Sequence, residues 1–197
     1  MREVELKGVV HHPDAVRTAL IAAGARVVLR GRMTDRRYDA ADAALRARDE
    51  VLRIRITSDE HGTVSRLDFK GPATYPDGFK VRDEIGSSVE DIAVIERILG
   101  ALGLRVTREI EREIEVFDLQ GAVVRFERYP RMDVLLEVEG DPEAIERAIA
   151  VTGIERASFT AERLADFARR YEERVGQKAA LCARELEGDF RYRLDDA

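Results

Sequence analysis

Two short stretches space carboxylates two residues apart: Glu3-Val4-Glu5 and Glu137-Val138-Glu139. A period of two puts both carboxylates of each pair on one face of a β-strand and the intervening valine on the other. Clustered carboxylates are hard oxygen donors, which suit a divalent cation such as Mg2+ or Mn2+. Other runs repeat the pattern with cations. Lys7 follows the first pair, VLRIRIT aligns Arg53 with Arg55, and SRLDFKG aligns Arg66, Asp68 and Lys70. KVRDEI sets Arg82 with Glu84, TREIEREIEVF sets Arg108 with Arg112, and AVVRFERY puts Arg125 beside Glu127. Guanidinium and ammonium groups at this density suit phosphoryl oxygens. A polyanionic phosphate together with Mg2+ or Mn2+ would satisfy both sets, whereas an empty interior lined this way would repel itself.

These residues need strands to hold them, and the chain supplies about eight alternating runs. DEHG (59–62), YPDG (75–78) and LQG (119–121) between them carry hairpin-turn chemistry. Most pairings are therefore expected to be antiparallel. A weak repeat is also visible. ALIAAGARV (19–27) resembles ILGALGLRV (98–106), so Gly24 matches Gly103, and the same offset lays Glu3-Val4-Glu5 on Arg82-Asp83-Glu84. A looser third copy matches Pro13 and Gly24 with Pro142 and Gly153. Each copy reads as a charged strand followed by an amphipathic helix ending at a glycine. The fold class is α+β, with sheet over the first 140 residues and helix beyond. Closing the sheet with its ionic faces inward and helices outside gives a tunnel lined by ions.

Composition sets the outer limits. The 197 residues are 45% hydrophobic and 37% charged, enough apolar content for a core with an unusually ionic remainder. A net charge of −6 argues against nucleic acid or an anionic membrane as partner. The single cysteine, Cys182, excludes an intramolecular disulfide, and no apolar run approaches membrane-spanning length. The expectation is a cytoplasmic protein, monomer or homodimer.

The motifs, in order, resemble the CYTH domains, or triphosphate tunnel metalloenzymes, which include class IV adenylyl cyclases, thiamine triphosphatases and inorganic triphosphatases. Glu3-Val4-Glu5-Leu6-Lys7 has the family's opening form Glu-x-Glu-x-Lys. DRRYD (35–39) is similar to its Asp-x-Tyr-Phe-Asp stretch, VLRIR (51–55) to its Leu-Arg-Ile-Arg, and DFKGP (68–72) to its Lys-Gly-Pro strand end. Arg82-Asp83-Glu84 fits its Arg-x-Glu, Arg112 falls at its basic strand residue, and Glu137-Val138-Glu139 is its closing Glu-x-Glu. This sequence departs from the pattern in having Glu127 where the family usually has Asp, only Arg108 and Arg112 for a Lys-x-Arg signature, and Met132-Asp133 for Leu-Gly.

The resemblance implies an eight-stranded antiparallel β-barrel tunnel, with helices packed outside and a C-terminal helical tail. It also implies one CYTH-like domain over 1–197, with tunnel strands and two helices in 1–140 and a helical part in 141–197. Lys7, Arg53, Arg55, Lys70, Arg82, Arg112 and Arg125 would bind a linear triphosphate such as tripolyphosphate, ATP or thiamine triphosphate. Glu3, Glu5, Glu137 and Glu139 would bind Mg2+ or Mn2+. Glu127 would be a further ligand or a base positioning water, with Lys7 also in the catalytic role. Metal-dependent hydrolysis is the favoured activity because it demands least of the site. Cyclisation of ATP to cyclic AMP and pyrophosphate, and non-enzymatic polyphosphate or nucleotide binding, are the alternatives.

Other residues read as structural. His11-His12 with Pro13 marks the turn into the first helix, and Tyr38 and Tyr75 suit core or rim packing. The last helix is expected to run from ERLADFARRYEERVG on through KAALCAREL, placing Lys178 and Arg184 on a solvated face and Cys182 among apolar neighbours.

Overall fold

The computed structural model describes residues 2–188 and 190–196. Strand β1 (Arg2–Val9) leads through His11-His12 into α1 (Pro13–Ala22), with Pro13 at the first helical turn, where its missing N–H costs nothing. There follow β2 (Arg26–Asp39), the short α2 (Ala44–Ala47), β3 (Val51–Asp59), β4 (Gly62–Lys70) and β5 (Lys80–Ser88). Then come α3 (Ile92–Ala101), β6 (Arg105–Leu119), β7 (Ala122–Arg128), β8 (Leu135–Glu139), α4 (Pro142–Thr152), β9 (Phe159–Thr160) and α5 (Leu164–Val175).

The strand order β5-β4-β3-β2-β6-β7-β8-β1 closes on itself through a β1–β5 pairing, and every pairing is antiparallel. Closure leaves a single eight-stranded barrel with no free edge. Only β9, a two-residue strand on β1, adds to the expected count. The three hairpin turns fall where the sequence places them. At 119–121, Gln120 (φ 50°) and Gly121 (φ 90°) both take the left-handed conformation that a tight antiparallel turn needs. The repeat is also visible in the fold: α1, α3 and α4 follow β1, β5 and β8, and each gives way to a left-handed glycine, Gly24, Gly103 or Gly153.

Alternation sorts the side chains. Leu6 and Val138 face outward and join Leu20, Phe117, Phe126, Ile145 and Ile149 in a core under α1 and α4. Packing α5 onto the barrel buries Leu135, Phe167 and Leu181, while α3 covers Tyr38, Ile54 and Leu99. With the apolar faces held by helices, the ionic faces of the same strands turn into the barrel. Among the described residues no helix is long and apolar enough to cross a membrane.

One expected helix is shorter than the sequence suggests. It stops at Val175, where Gly176 (φ 70°) caps it in the left-handed conformation. Beyond it the buried segment Ala179–Cys182 satisfies its backbone against the barrel instead. Ala180 exchanges hydrogen bonds with Arg131, and Glu111 N donates to Leu181 O at 2.7 Å. Residues 183–186 form only a 3-10 turn, so Lys178 and Arg184 do not share a helix face.

Candidate active site

A cavity of about 130 Å³ occupies the barrel interior. All seven expected cations line it: Lys7 from β1, Arg53 and Arg55 from β3, Lys70 from β4, Arg82 from β5, Arg112 from β6 and Arg125 from β7. Glu3, Glu5, Glu127 and Glu137 line it as well, whereas Glu139 stands outside the lining, next to Glu5 in the β1–β8 register.

Asp35, 2% exposed, is the hub of the interior. Arg55 grips it with two hydrogen bonds, Nε at 2.7 Å and Nη2 at 2.8 Å, Arg112 Nη2 donates at 3.0 Å, and Arg53 Nη1 lies 3.6 Å away. Burial alone would raise the Asp35 carboxyl, but the three guanidiniums outweigh it and hold the group well below the usual carboxylate range. Glu127, 1% exposed, accepts from Arg112 Nε at 2.8 Å, Arg125 Nε at 3.2 Å and Tyr129 OH at 2.7 Å. Burial again opposes ionisation there, and Arg112, Lys7 and Arg125 again win, so its carboxyl is also held far down.

The wall built by β1, β5 and β8 is arranged differently. Lys80 Nζ lies 2.5 Å from Glu5, Lys70 contacts Glu3 and lies 3.0 Å from Glu84, and both Lys7 and Arg125 contact Glu137. Glu5 is held well below its ordinary range: burial pushes it up, but Lys7, Lys80 and Lys70 more than compensate. Glu139 goes the other way. Burial and the neighbouring carboxylates of Glu3 and Glu5 push it up, against weaker pulls from Arg125 and Lys70. Among the described residues no arginine or lysine is in ion-pair contact with it.

The interior is therefore not the self-repelling array that the strand pattern suggests. Each of the seven cations has a carboxylate, including Arg82, which meets Asp49 Oδ1 at 2.7 Å and its carbonyl at 2.9 Å. The protein supplies its own counter-charges, because Asp35, Asp49 and Asp68 enter the network beside the expected glutamates. Charge alone thus does not require a ligand. The unused hydrogen-bonding capacity is more telling: among the described residues Arg82 Nε, Arg112 Nη1 and Arg37 Nε are buried beside the cavity without a partner, and a buried donor left unmade is costly. Phosphoryl oxygens are the acceptors these forks suit.

The fit to a metal rests on the donor set. Among the described residues no three acidic, histidine or cysteine side chains already converge as a cage. Glu3, Glu5 and Glu139 are nonetheless close enough to raise one carboxyl by mutual repulsion, and two of them are met by lysine ammonium groups. Neighbouring carboxylate oxygens, one of them only partly compensated by cations, are donors of the kind a hard divalent ion takes.

Several lining residues escaped the sequence reading. Lys80 shares the parity of Arg82 and Glu84, and Asp35 lies within the DRRYD stretch, so both carried a signal. Asp49 and Arg163 come from loops, and Asp195 and Asp196 come from a 3-10 turn near the end of the described chain, where no pattern marks them. Arg108 does not line the cavity. Although only 1% exposed, it forms a fork with Glu185 at 3.0 and 3.1 Å and lies under the Tyr192 ring, tying down the segment after α5. Cys182 is buried and its thiol is pushed up to about 11, chiefly by desolvation, which removes it from nucleophilic chemistry.

The fold recurs in solved structures. A Pyrococcus horikoshii protein aligns with a TM-score of 0.70 at 21% identity, over 89% of this chain and 99% of its own. A Vibrio parahaemolyticus protein provisionally named an adenylate cyclase gives 0.70 at 17% identity, over 84% and 96%. A Hippeastrum protein, provisionally named an adenylyl cyclase and described as having a dominant triphosphatase activity, gives 0.59 at 16% identity, over 91% and 98%. Among curated proteins none matches the sequence significantly. The family model of the CYTH domain matches residues 1–170, the whole barrel with α4 and most of α5, and the chain belongs to that family.

Proposed function

We propose that the protein is a divalent-metal-dependent hydrolase of linear triphosphates. The observation that carries this reading is the convergence of Arg53, Arg55 and Arg112 on one buried carboxylate, with donors of Arg112 and Arg82 left over beside the cavity. Lys7, Arg53, Arg55, Lys70, Arg82, Arg112 and Arg125 bind the phosphoryl oxygens, exchanging part of their carboxylate contacts for them. Preorganised guanidiniums of this kind offset the charge that builds on the leaving phosphate.

Glu3, Glu5, Glu137 and Glu139 would hold the cation, Mg2+ or Mn2+, with Glu127 adjoining. When bound, such an ion neutralises phosphoryl charge and acidifies a water. Lys7 sits between the two sets of groups, in contact with Glu137 and acting on Glu127. Glu127 is held too far down to remove a proton efficiently near neutral pH, so its part is to orient Arg112, Arg125 and water.

Hydrolysis is preferred over cyclisation because it needs only water at the terminal phosphate and no pocket for a nucleoside. Cyclisation of ATP would use the same cations and also need the ribose 3′-hydroxyl held in line with the α-phosphorus. The deciding experiment offers tripolyphosphate, ATP and thiamine triphosphate with Mg2+ or Mn2+ and identifies the products. Tripolyphosphate is expected to be cleaved with higher kcat/KM than ATP, and ATP to give ADP and orthophosphate. Cyclic AMP and pyrophosphate as main products would move the protein to the cyclase activity. Absence of turnover with tight binding would make it a polyphosphate binder.

A further inference from the structure

At the α2 side of the cavity, anion-binding groups are occupied by the chain's own acidic segment. Arg37 Nη1 donates to the Asp196 carbonyl at 2.9 Å, and Arg46 Nη1 lies 3.2 Å from Asp196 Oδ1. Asp195 contacts Arg169 on α5, and Leu194 packs partly buried against the core beneath α5. Asp195, Asp196, Arg37 and Arg46 all line the cavity. Among the described residues Arg37 Nε is buried without an acceptor. Burial, together with Arg53, Arg108 and Arg112, lowers the Arg37 guanidinium to about 10 despite the pull of Asp35, so this corner favours additional negative charge.

We propose that Arg37 and Arg46 form a further phosphate subsite of the tunnel, and that Leu194–Asp196 occupies it as a tethered acidic competitor which a linear polyphosphate displaces. The inference rests on the triphosphate reading above and goes beyond it in naming the end group's contacts and an internal inhibitor. A carbonyl and a carboxylate satisfy two guanidiniums only in part. A phosphoryl group brings more charge and more acceptor oxygens to the same forks, including the unused Arg37 Nε. The tail contacts are partly exposed ion pairs and should yield to it readily.

Three proteins carry the main comparison, with two further variants as controls: the full chain, a form lacking residues 194–197, and the full chain with Asp195→Asn and Asp196→Asn. Tripolyphosphate binding is measured calorimetrically in EDTA, so the result does not depend on turnover. Removing the tail should tighten Kd about three- to tenfold, as expected for losing one or two partly exposed competing ion pairs. The double Asn variant should tighten it by a smaller factor, and it carries the test should the shortened chain fail to fold. Glu143→Gln, which removes an exposed carboxylate on α4, should leave Kd unchanged and so excludes a general charge effect. Arg37→Gln in the tail-free protein should weaken binding again. Equal affinity of tailed and tail-free proteins would overturn this inference and leave the triphosphate reading standing. No binding by any of them would remove that reading and this inference together.

Discussion

The centre of the tunnel and the wall made by β1, β5 and β8 contain the same kinds of residue in opposite electrostatic states. At the centre, Asp35 and Glu127 are surrounded by guanidiniums and held ionised far below their ordinary range. On the wall, Glu139 faces Glu3 and Glu5 and is pushed up. The centre is a closed network that arranges cations whether or not a ligand is present. The wall carries an unsettled negative charge that protons or metal ions would relieve. The difference comes from which strands are neighbours: β2 and β6 bring Asp35 between the arginines of β3 and β6, while β1 and β8 set Glu5 directly against Glu139.

The comparison is broken most forcefully at its hub. Asp35→Asn leaves Arg55 without its two-point carboxylate partner, weakens the acceptor of Arg112 Nη2 and removes the opposite charge 3.6 Å from Arg53. Breaking a buried ion pair on one side costs about 3–5 kcal/mol. Urea denaturation should show a loss of that size. A loss under about 1 kcal/mol would mean that the central network is not structural, since this is the range of exposed ion pairs.

Ligand binding sharpens the comparison from the other side. Tripolyphosphate at about 100 times its Kd should stabilise the fold by roughly 2.7 kcal/mol through mass action. Because the protein's own carboxylates already balance the tunnel's cations, the gain should come from binding alone and not from relief of repulsion. A melting temperature unmoved by saturating tripolyphosphate, in EDTA and in Mg2+ alike, would falsify the tunnel as a triphosphate site.

Much of this was legible in the sequence because a barrel strand with helices outside obeys a strict alternation. Glu3, Glu5 and Lys7 face in because Val4 and Leu6 are needed in the core. Alternation could not reveal partners across the barrel, so the pairing of every cation with a carboxylate came as a correction. It holds even where the register shifts: the β2–β6 ladder is irregular between Arg37 and Tyr38, yet Arg37 lines the cavity while Tyr38 packs with Ile54 and Leu99 under α3. Contributions from outside the strands, Asp49 in the turn before β3 and Asp196 far along the chain, depend on tertiary closure and leave no local trace. The overextended last helix has a local reason that alternation does not weigh: Gly176 ends it, and Ala179–Cys182 is more useful buried against β6 and Arg131.

The smallest expected effect separates wall from centre most cleanly, because the two have opposite signs with pH. Asp35, Glu127 and Glu5 have folded-state pKa values below their ordinary ones. Their stabilisation is present above about pH 4.5 and is lost as pH falls toward those lowered values. Glu139 is raised, so its contribution is lost as pH rises above its ordinary 4.5 and the carboxyl is forced to ionise beside Glu3 and Glu5. Glu139→Gln should therefore raise the melting temperature slightly at pH 7 in EDTA, leave it little changed near pH 4, and lose most of the stabilisation that Mg2+ or Mn2+ gives the unmodified protein. Turnover should fall sharply in the same variant while the fold is kept. A wall that serves only structure would show no metal-dependent difference between variant and parent, and wild-type turnover by Glu139→Gln would remove this residue from the metal set.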